Sequence, residues 1–324
     1  MINGSVALEI ALKSLGVGKG DEVIVPCRGF MACASSVVLC GATPVFADVD
    51  LDTGNILPQS FKDKITSKTK AVICVHIAGC PCDMEPLLAV AKDCGIKVVE
   101  DCAQAHGAEY KGKKVGSFGD VSAFSFCNDK IMSCAGEGGM LLANDEGFYE
   151  KAKGLSEDYA MSETQAAIGR IQLSKLDEWV SQRRANAKSY NEAFEDLRAV
   201  YIPKCQRIDE TIGVFNSFYK YYLYVKPECL KEGCDRDTIV EEIRAKGVPA
   251  ISGACCEIYK EEAFSNYFNG NHPALPNAHR LAETSIMLQT HPTLSKQNLK
   301  DIISIVKEAI EHSTKVESEH QFAS

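Results

Sequence analysis

A single lysine, Lys130, stands where a reactive amine could meet a bound molecule. It follows the alternating run Phe124-Ser125-Phe126, which predicts a short buried strand, and it precedes a stretch rich in small residues and glycine (131–139). Ligands of open α/β sheets bind beyond the carboxyl ends of the strands, and glycine lets the backbone approach a ligand closely. Taken alone, a lysine after a strand more often extends into water.

Other residues that could bind a ligand also follow predicted strands or begin a predicted helix. Asp101 and Gln104 follow one valine-rich run, and Phe30 follows another. Gly4 and Ser5 stand at the predicted start of a helix. Because the carboxyl ends of parallel strands meet at one edge of a sheet, we expect these side chains to lie close together.

Together these residue types can hold pyridoxal 5'-phosphate (PLP). The amine of Lys130 can form a Schiff base with the cofactor's aldehyde, and the Asp101 carboxylate can keep the pyridine nitrogen protonated. The aromatic face of Phe30 can cover the ring. A phosphate binds well at a helix N-terminus, so the helix that starts at Gly4-Ser5 could hold it with the hydroxyl of Ser125.

Each of these residues also has a purely structural interpretation. Asp101 could cap the turn after its strand, Phe30 could belong to the core, and Ser5 could be the N-cap residue of its helix. The hypothesis of a cofactor site therefore depends on all of them meeting at one edge of one sheet.

The first half of the chain alternates strand-like and helix-like segments. Short segments rich in Val and Ile predict strands at 21–26, 43–50, 70–77 and 96–103, with a helical pattern at 84–95. This alternation predicts an α/β fold with a mostly parallel central sheet covered by helices. A hairpin over 109–117, two more strands and a helix near 146–153 complete this half.

The second half predicts a connecting helix and a smaller domain. Ser162 and Gln165 have the spacing of a capping box, and apolar residues recur at helical spacing as far as Phe194. We therefore expect one long helix from Ser162 that joins two domains. The large domain would cover 1–160, and the connecting helix with a small C-terminal α+β domain would cover 161–324. Its predicted elements are a strand within 217–226 and helices near 235–246 and 296–312.

Composition and charge exclude some classes of function. Of the 324 residues, 45% are apolar and 24% are charged, as is typical of globular proteins. The net charge of −9 and the absence of a long basic run argue against nucleic acid as a partner. The most apolar window, 31–47, is shorter than the roughly 20 residues that span a bilayer. No secretory signal is visible, so we expect a cytoplasmic protein without a membrane partner.

The 15 cysteines raise the question of a metal or of disulfides. Their spacings do not include the C-x-x-C pattern of zinc sites, and most lie in apolar segments, so we expect buried free thiols and no metal. Cys80-Pro81-Cys82 and Cys255-Cys256 are the remaining, weaker metal or redox candidates. His76 is expected to be a structural histidine at a strand end.

Several motifs stand in the order and spacing of a known family. They are NGSVAL, GDEVIVP, GATPVFADVD, TKAVICVH, VVEDCAQAHGA, YKGKKVGSFGD, FSF followed by Lys130 and GEGG, and MSETQAAIGRIQLSKLDEW. On these motifs the chain resembles the DegT/DnrJ/StrS family of PLP-dependent sugar aminotransferases. The resemblance implies a fold-type I large domain, a smaller C-terminal domain, and a homodimer whose active sites are completed by the partner chain.

The resemblance also assigns roles to the candidate residues. It implies that Lys130 is the Schiff-base lysine, Asp101 the partner of the pyridinium nitrogen, and Gln104 the residue beside the ring hydroxyl. The other cofactor-binding residues implied are the stacking Phe30 and, at the phosphate, Gly4, Ser5 and Ser125.

The implied activity is transfer of an amino group from an amino acid, with glutamate the expected donor, to a keto sugar. We expect the sugar to be linked to a nucleotide and used in amino-sugar or polysaccharide biosynthesis. Two alternatives stay open: a keto-cyclitol or other acceptor without a nucleotide, and a non-catalytic or regulatory homologue that keeps the fold. Relatives that act as sugar dehydratases carry histidine in place of the lysine, so Lys130 argues against dehydration.

Three departures from the family's pattern concern the edges of the site. The family usually has several dozen residues before the NGS motif and a longer segment before residue 158. In addition, Asp158-Tyr159-Ala160 replaces a usual Asn-Tyr-Arg. A carboxylate therefore stands where an amide is expected to reach the neighbouring subunit's phosphate, which it would repel unless the loop takes another path.

Overall fold

The fold is built around a six-stranded sheet in the first half of the chain. The structure is a computed structural model that describes residues 1–208, 213–265 and 274–316. The strands in these ranges are β1 (Glu22–Pro26), β2 (Thr43–Ala47), β3 (Thr69–Val75), β4 (Lys97–Asp101), β5 (Glu109–Tyr110), β6 (Lys113–Lys114), β7 (Val121–Ser125), β8 (Gly139–Ala143), β9 (Val200–Tyr201), β10 (Val214–Phe215), β11 (Lys220–Val225) and β12 (Ser285–Gln289).

The six-stranded sheet has the order β2-β1-β3-β4-β7-β8. Its neighbours pair in parallel from β2 through to β7, and β8 adds to β7 in antiparallel orientation at the edge. Val23, Ile24 and Val25 of β1 are all fully buried, as continuous apolar strands are when helices cover both faces. The predicted α/β fold with a mostly parallel sheet is therefore confirmed.

Helices cover this sheet and build the second half. They are α1 (Gly4–Ser14), α2 (Ala32–Leu39), α3 (Pro58–Asp63), α4 (Met84–Cys94), α5 (Glu146–Leu155), α6 (Glu163–Leu173), α7 (Leu176–Phe194), α8 (Arg236–Ala245), α9 (Glu262–Ser265), α10 (Pro276–Thr284) and α11 (Lys296–Ser313). A three-stranded antiparallel sheet, β12-β11-β9, lies in the second half. The predicted hairpin is β5 and β6, which pair with each other, and β10 pairs with β5.

The expectation of one long helix from Ser162 is wrong. The capping box of Ser162 and Gln165 is present, but α6 ends after Leu173 and α7 begins at Leu176. At the junction the hydroxyl of Ser174 donates to a carbonyl of the preceding turn, at 2.8 Å. The apolar spacing continues across this break, so the sequence pattern does not reveal it.

Two clusters of buried apolar side chains hold the chain together. The first joins Leu8 of α1 and Val37 of α2 to Tyr222 and Tyr224 of β11 and to Ile258. The second packs α7, α8 and α11 against β11 and β12; it includes Phe194, Tyr221, Ile239, Ile286 and Val306. The first cluster thus contains residues from both sides of residue 160, and a domain boundary there stays a prediction.

All 15 cysteines are free thiols, and most are buried, as expected. In the ranges that the structure describes, no helix combines the length and apolar character needed to cross a bilayer.

Candidate active site

The carboxyl ends of β1, β3, β4 and β7 form one edge of the central sheet. The chain passes from β1 to β2 on one side and returns to β3 on the other, so the sheet changes direction beside β1. Such a switch point is where open α/β sheets bind ligands. Phe30 follows β1, Asp101 ends β4 and Ser125 ends β7, so the predicted residues lie along this edge.

The start of α1 lies directly against the end of β7. A Cβ atom placed on Gly4 would lie 2.6 Å from Cβ of Ser125, so the helix can start here only with glycine. The N-cap residue is Asn3, whose Oδ1 accepts the N–H of Val6 at 2.9 Å. The alternative interpretation of Ser5 as N-cap is therefore wrong. Ser5 lies in the exposed first turn, where helical N–H groups lack intrahelical partners.

The GEGG glycines support this arrangement by letting strand β8 approach the helix start. A Cβ atom on Gly139 would lie only 2.5 Å from the carbonyl oxygen of Asn3. The N–H of Gly139 also donates to the carbonyl of Met1 at 2.9 Å, which fixes the first residues against the sheet. The result is a helix N-terminus and a buried serine side by side, a combination suited to an anion.

Asp101 is a buried carboxylate with a positive charge near it. One oxygen, Oδ1, accepts the N–H of Ala103 at 3.0 Å. Burial raises the pKa of Asp101 above its usual value, while that hydrogen bond and the positive charge of Lys130 oppose the rise. A carboxylate in this environment favours a nearby cationic N–H group, such as a protonated pyridine nitrogen.

Gln104 is held by the turn after β3. Its Oε1 accepts the N–H of Ala78 at 2.8 Å, so its Nε2 group is oriented away from this contact as a donor. Ala78 has φ 55°, an unfavourable region for a residue with a side chain. Asn55 stabilises the turn, because its side chain bonds the N–H of Ile77 at 2.9 Å and the carbonyl of Cys80 at 3.0 Å.

Phe30 carries the most exposed phenylalanine ring near this edge, with 67% of its surface accessible. The preceding Gly29 approaches the end of β3, since a Cβ on it would lie 3.8 Å from Val75. Gly29 also donates its N–H to the carbonyl of Cys255 at 2.9 Å, which brings the 251–264 loop next to the ring. An aromatic face left open here can stack on a planar ligand.

Lys130 is mostly buried, and two residues that the sequence did not single out for this site surround its amine. Its Nζ lies 3.6 Å from Oδ1 of Asp129 and 5.0 Å from the ring centroid of Tyr219. The Tyr219 hydroxyl donates to Oδ2 of Asp129. We expected Tyr219 to be a packing residue; it is buried, and it also contacts the lysine.

His76 has the structural role expected for it. Its Nδ1 accepts the N–H of Cys82 at 2.9 Å, so Nε2 carries the proton and donates to Glu100 at 3.0 Å. Glu100 also accepts three backbone N–H groups from the 116–119 turn. Cys102 lies close enough to make a triad with metal-ligand atoms, but hydrogen bonds already occupy the histidine and the carboxylate.

The residues at this edge fit PLP. The site offers a small-residue helix start for a phosphate, a buried carboxylate for a pyridinium nitrogen, an open aromatic face and a mostly buried amine. Ser125 occupies the space that a side chain on residue 4 would need. Because Gly4 has no side chain, the helix N-terminus stays accessible to an anion.

Comparison with known proteins gives the family. The model of the DegT/DnrJ/EryC1/StrS aminotransferase family matches residues 1–307. The chain belongs to this family. Membership confirms the resemblance of the motifs and the aminotransferase class of enzyme that they imply.

Individual members of the family are similar over different lengths. GDP-perosamine synthase of Escherichia coli O157:H7 is 42% identical over 233 residues, which are 67% of this chain and 62% of that protein. The X-ray structure of the aminotransferase from Psychrobacter cryohalolentis has a TM-score of 0.92 and 41% identity, covering 97% of this chain and 87% of the other. The structure of Streptomyces venezuelae DesV with a ketimine intermediate has a TM-score of 0.85 and 29% identity, covering 97% and 84%.

Asp158, where the family usually has asparagine, is exposed in a short 3-10 turn (Glu157–Tyr159). The carbonyl of Tyr159 accepts the N–H of Ile2 at 2.8 Å. The turn therefore packs beside the chain's first residues, close to the start of α1.

Proposed function

We propose that this chain is a PLP-dependent aminotransferase that moves an amino group from an amino acid, with glutamate as the expected donor, to a keto sugar linked to a nucleotide. The observation that supports this best is geometric: Asp101 ends β4, Lys130 follows the paired strand β7, and both therefore stand at the same edge of the sheet. The chain's family supplies the reaction class.

The residues at the edge would bind different parts of the cofactor. Gly4, Ser5 and Ser125 would bind its phosphate, Phe30 would cover its ring, and Gln104 would donate from Nε2 to its ring oxygen. Asp101 would pair with its nitrogen. The cofactor, once bound, supplies an electron-withdrawing ring that lets the carbon bearing the amine lose a proton.

Lys130 is the residue that would move this proton. Its Nζ is shielded from solvent, with 14% of the side chain accessible, and an unprotonated amine can take a proton from one carbon and return it to another. Asp101 would keep the ring nitrogen protonated, and so keep the ring electron-withdrawing, because its buried carboxylate is already oriented by the Ala103 N–H.

The acceptor is proposed from the relatives. GDP-perosamine synthase, by its name, makes a sugar attached to GDP, and this supports a nucleotide-linked sugar here. Thermal unfolding of the PLP-loaded protein with GDP, UDP and dTDP separates the possibilities, because a bound nucleotide raises the midpoint. Stabilisation by none of the three would favour a keto-cyclitol or another ring without a nucleotide.

The assembly is proposed to be a homodimer. Met140 and Leu142 are exposed on the edge strand β8, and Ile171 and Leu173 are exposed on α6, with 59% and 58% of their surfaces accessible. Exposed apolar side chains in this number mark an interaction surface, and a second copy would cover it. Light scattering on the purified protein should give twice the chain mass of 35.3 kDa.

One experiment tests the central assignment. Purified protein loaded with PLP should show visible absorption that disappears when glutamate is added, with release of 2-oxoglutarate. Lys130→Ala should abolish multiple turnovers, whereas Lys92→Ala, which removes an exposed lysine of α4, should not. A protein that binds no PLP, or binds it and ignores every amino donor, would favour the non-catalytic or regulatory homologue.

A further inference from the structure

The amine of Lys130 contacts two side chains of the protein itself, Asp129 and Tyr219. Oδ1 of Asp129 lies 3.6 Å from Nζ, and the ring of Tyr219 faces Nζ with its centroid 5.0 Å away. A carboxylate and an aromatic face both attract an ammonium ion. Apart from Lys130 itself, none of the predicted cofactor-binding residues takes part in this contact.

Asp129 is held in place by two donors besides the lysine. Cys127 Sγ donates to Oδ1 at 2.8 Å, and the hydroxyl of Tyr219 donates to Oδ2. Of the Asp129 side chain, 61% is accessible. Partial burial would raise its pKa, but these two hydrogen bonds and the charge of Lys130 lower it overall. The side chain is therefore a fixed anion at neutral pH.

We infer that Asp129 and Tyr219 form a holding site for the free amine of Lys130. The inference rests on the proposed function, in which the amine is bound to the cofactor for part of each cycle and is released when the amino donor binds. A lysine has a flexible four-carbon stem, so a released amine would otherwise sample many positions. Asp129 and Tyr219 are thus positioning residues that would limit the positions open to Nζ once it is free.

The holding site connects the two halves of the chain. Tyr219 lies 90 residues after Asp129, immediately before β11, and packs against Ile131 and Val180. The position of the amine therefore depends on how the second half packs against the loop that carries Lys130.

Other charged groups also act on this amine or on its holding site. Lys220 Nζ lies 4.8 Å from the Tyr219 ring centroid and donates to Gln289 at 2.7 Å. The remaining titratable groups that interact electrostatically with Lys130 or Lys220 are Asp101, His106, Cys127, Arg183 and His291. Asp129 is the carboxylate within 4 Å of Nζ in the described part of the chain.

Amine labelling of the cofactor-free protein tests the holding site. Acetic anhydride reacts with the unprotonated amine, and mass spectrometry measures the rate at Lys130. Because Asp129 pairs with Nζ and holds it in place, Asp129→Asn should label about two- to fivefold faster at neutral pH, the effect of losing one partly screened ion pair. Tyr219→Phe should change the rate in the same direction but less, since it keeps the ring and removes only the hydroxyl.

The control is Tyr221→Phe, two residues along the chain. Its hydroxyl bonds Asn191 at 2.8 Å in the second apolar cluster, so labelling of Lys130 should match the wild type. In the PLP-loaded protein, the pH profile of kcat should shift in Asp129→Asn and Tyr219→Phe and stay in place in Tyr221→Phe.

The outcomes separate this inference from the proposed function. An active wild-type enzyme with unchanged labelling in Asp129→Asn would overturn the holding site alone, as would an equal change in Tyr221→Phe. If the wild type binds no PLP, the proposed function fails, while faster labelling in Asp129→Asn would still support the contact with the amine.

Discussion

Gly4 and Ser125 are in direct contact where the first helix meets the end of strand β7. A Cβ atom on Gly4 would lie 2.6 Å from Cβ and 3.2 Å from Oγ of Ser125. The requirement for glycine here is steric, because the neighbouring atoms are a strand backbone and a short side chain that cannot move aside. This contact sets the distance between the helix N-terminus and the serine hydroxyl.

Gly4→Ala should separate the helix from the strand and weaken binding of the phosphate. Overpacking of this kind costs about 1–3 kcal/mol, so we expect the affinity for PLP to fall by about tenfold or more. Titration of the cofactor-free protein with PLP, followed by visible absorption, measures the change. The control is Gly154→Ala in helix α5, because a Cβ atom at residue 154 would meet no atom within 4 Å. This variant replaces a helical glycine without a clash, so the affinity for PLP should stay unchanged.

Asp101→Asn should lower kcat and raise the unfolding temperature of the cofactor-free protein. The amide keeps the shape but loses the charge that would stabilise the reaction, and we expect kcat to fall by about a hundredfold or more. Burial raises the folded-state pKa of Asp101, so ionising it costs stability, and that cost grows as pH rises through the raised value. The cofactor-free variant should therefore unfold at a higher temperature than the wild type at pH 7.

Asp93→Asn is the matched change on exposed α4, and both its kcat and its unfolding temperature should equal those of the wild type. An Asp101→Asn enzyme with full kcat would remove Asp101 from the site.

The position of Phe30 and Asp101 at one edge of the sheet could be predicted because both stand at the ends of recognisable strands. Valine-rich runs fix the ends of β1 and β4, and these place Phe30 and Asp101 at the same edge. The N-cap residue of α1 could not be predicted from the sequence, because Asn3 and Ser5 stand two residues apart and both have side chains that cap helices.

The surroundings of Lys130 could not be predicted in this way. Asp129 and Tyr219 are 90 residues apart, and neither belongs to a periodic pattern that would point to the other. The contact exists only because the loop after β7 and the segment before β11 pack together, which is a property of the tertiary structure.

His106 should make the protein less stable in mild acid. It is fully buried between Phe124 and Phe126, and burial, with the charge of Lys130, lowers its pKa to about 3. The unfolded chain takes up a proton near pH 6.5 that the folded chain does not, so stability falls as pH drops below that value. The loss from this residue should be about 2 kcal/mol at pH 5.

Urea unfolding at pH 5 and pH 7 measures this effect. His106→Leu removes the titrating group, so its stability should differ less between the two pH values than that of the wild type. His279→Gln, at an exposed histidine of α10, should retain the wild-type difference. An unchanged pH dependence in His106→Leu would contradict the expected role of burial.

Arg28 should not tolerate lysine although the charge is the same. Its guanidinium is fully buried, donates to the Tyr224 hydroxyl at 3.1 Å and the Ser285 hydroxyl at 3.4 Å, and lies 4.7 Å from the Tyr222 ring centroid. A lysine cannot make this forked and stacked set of contacts. Arg28→Lys should lower the free energy of unfolding by about 2 kcal/mol.

Arg244→Lys is the control for this change, because Arg244 is exposed on α8, and its effect should stay below about 0.5 kcal/mol. Chemical denaturation of both variants gives the comparison. Equal stabilities would show that the buried guanidinium makes no specific contribution.

The first apolar cluster couples the unfolding of the two halves of the chain. Leu8 and Val37 share it with Tyr222, Tyr224 and Ile258, so neither half can bury all of its apolar surface without the other. The two halves therefore melt as one cooperative unit rather than in sequence. Cleavage of the chain after residue 160 would leave two fragments with exposed apolar surface, and these would regain structure only by reassociating.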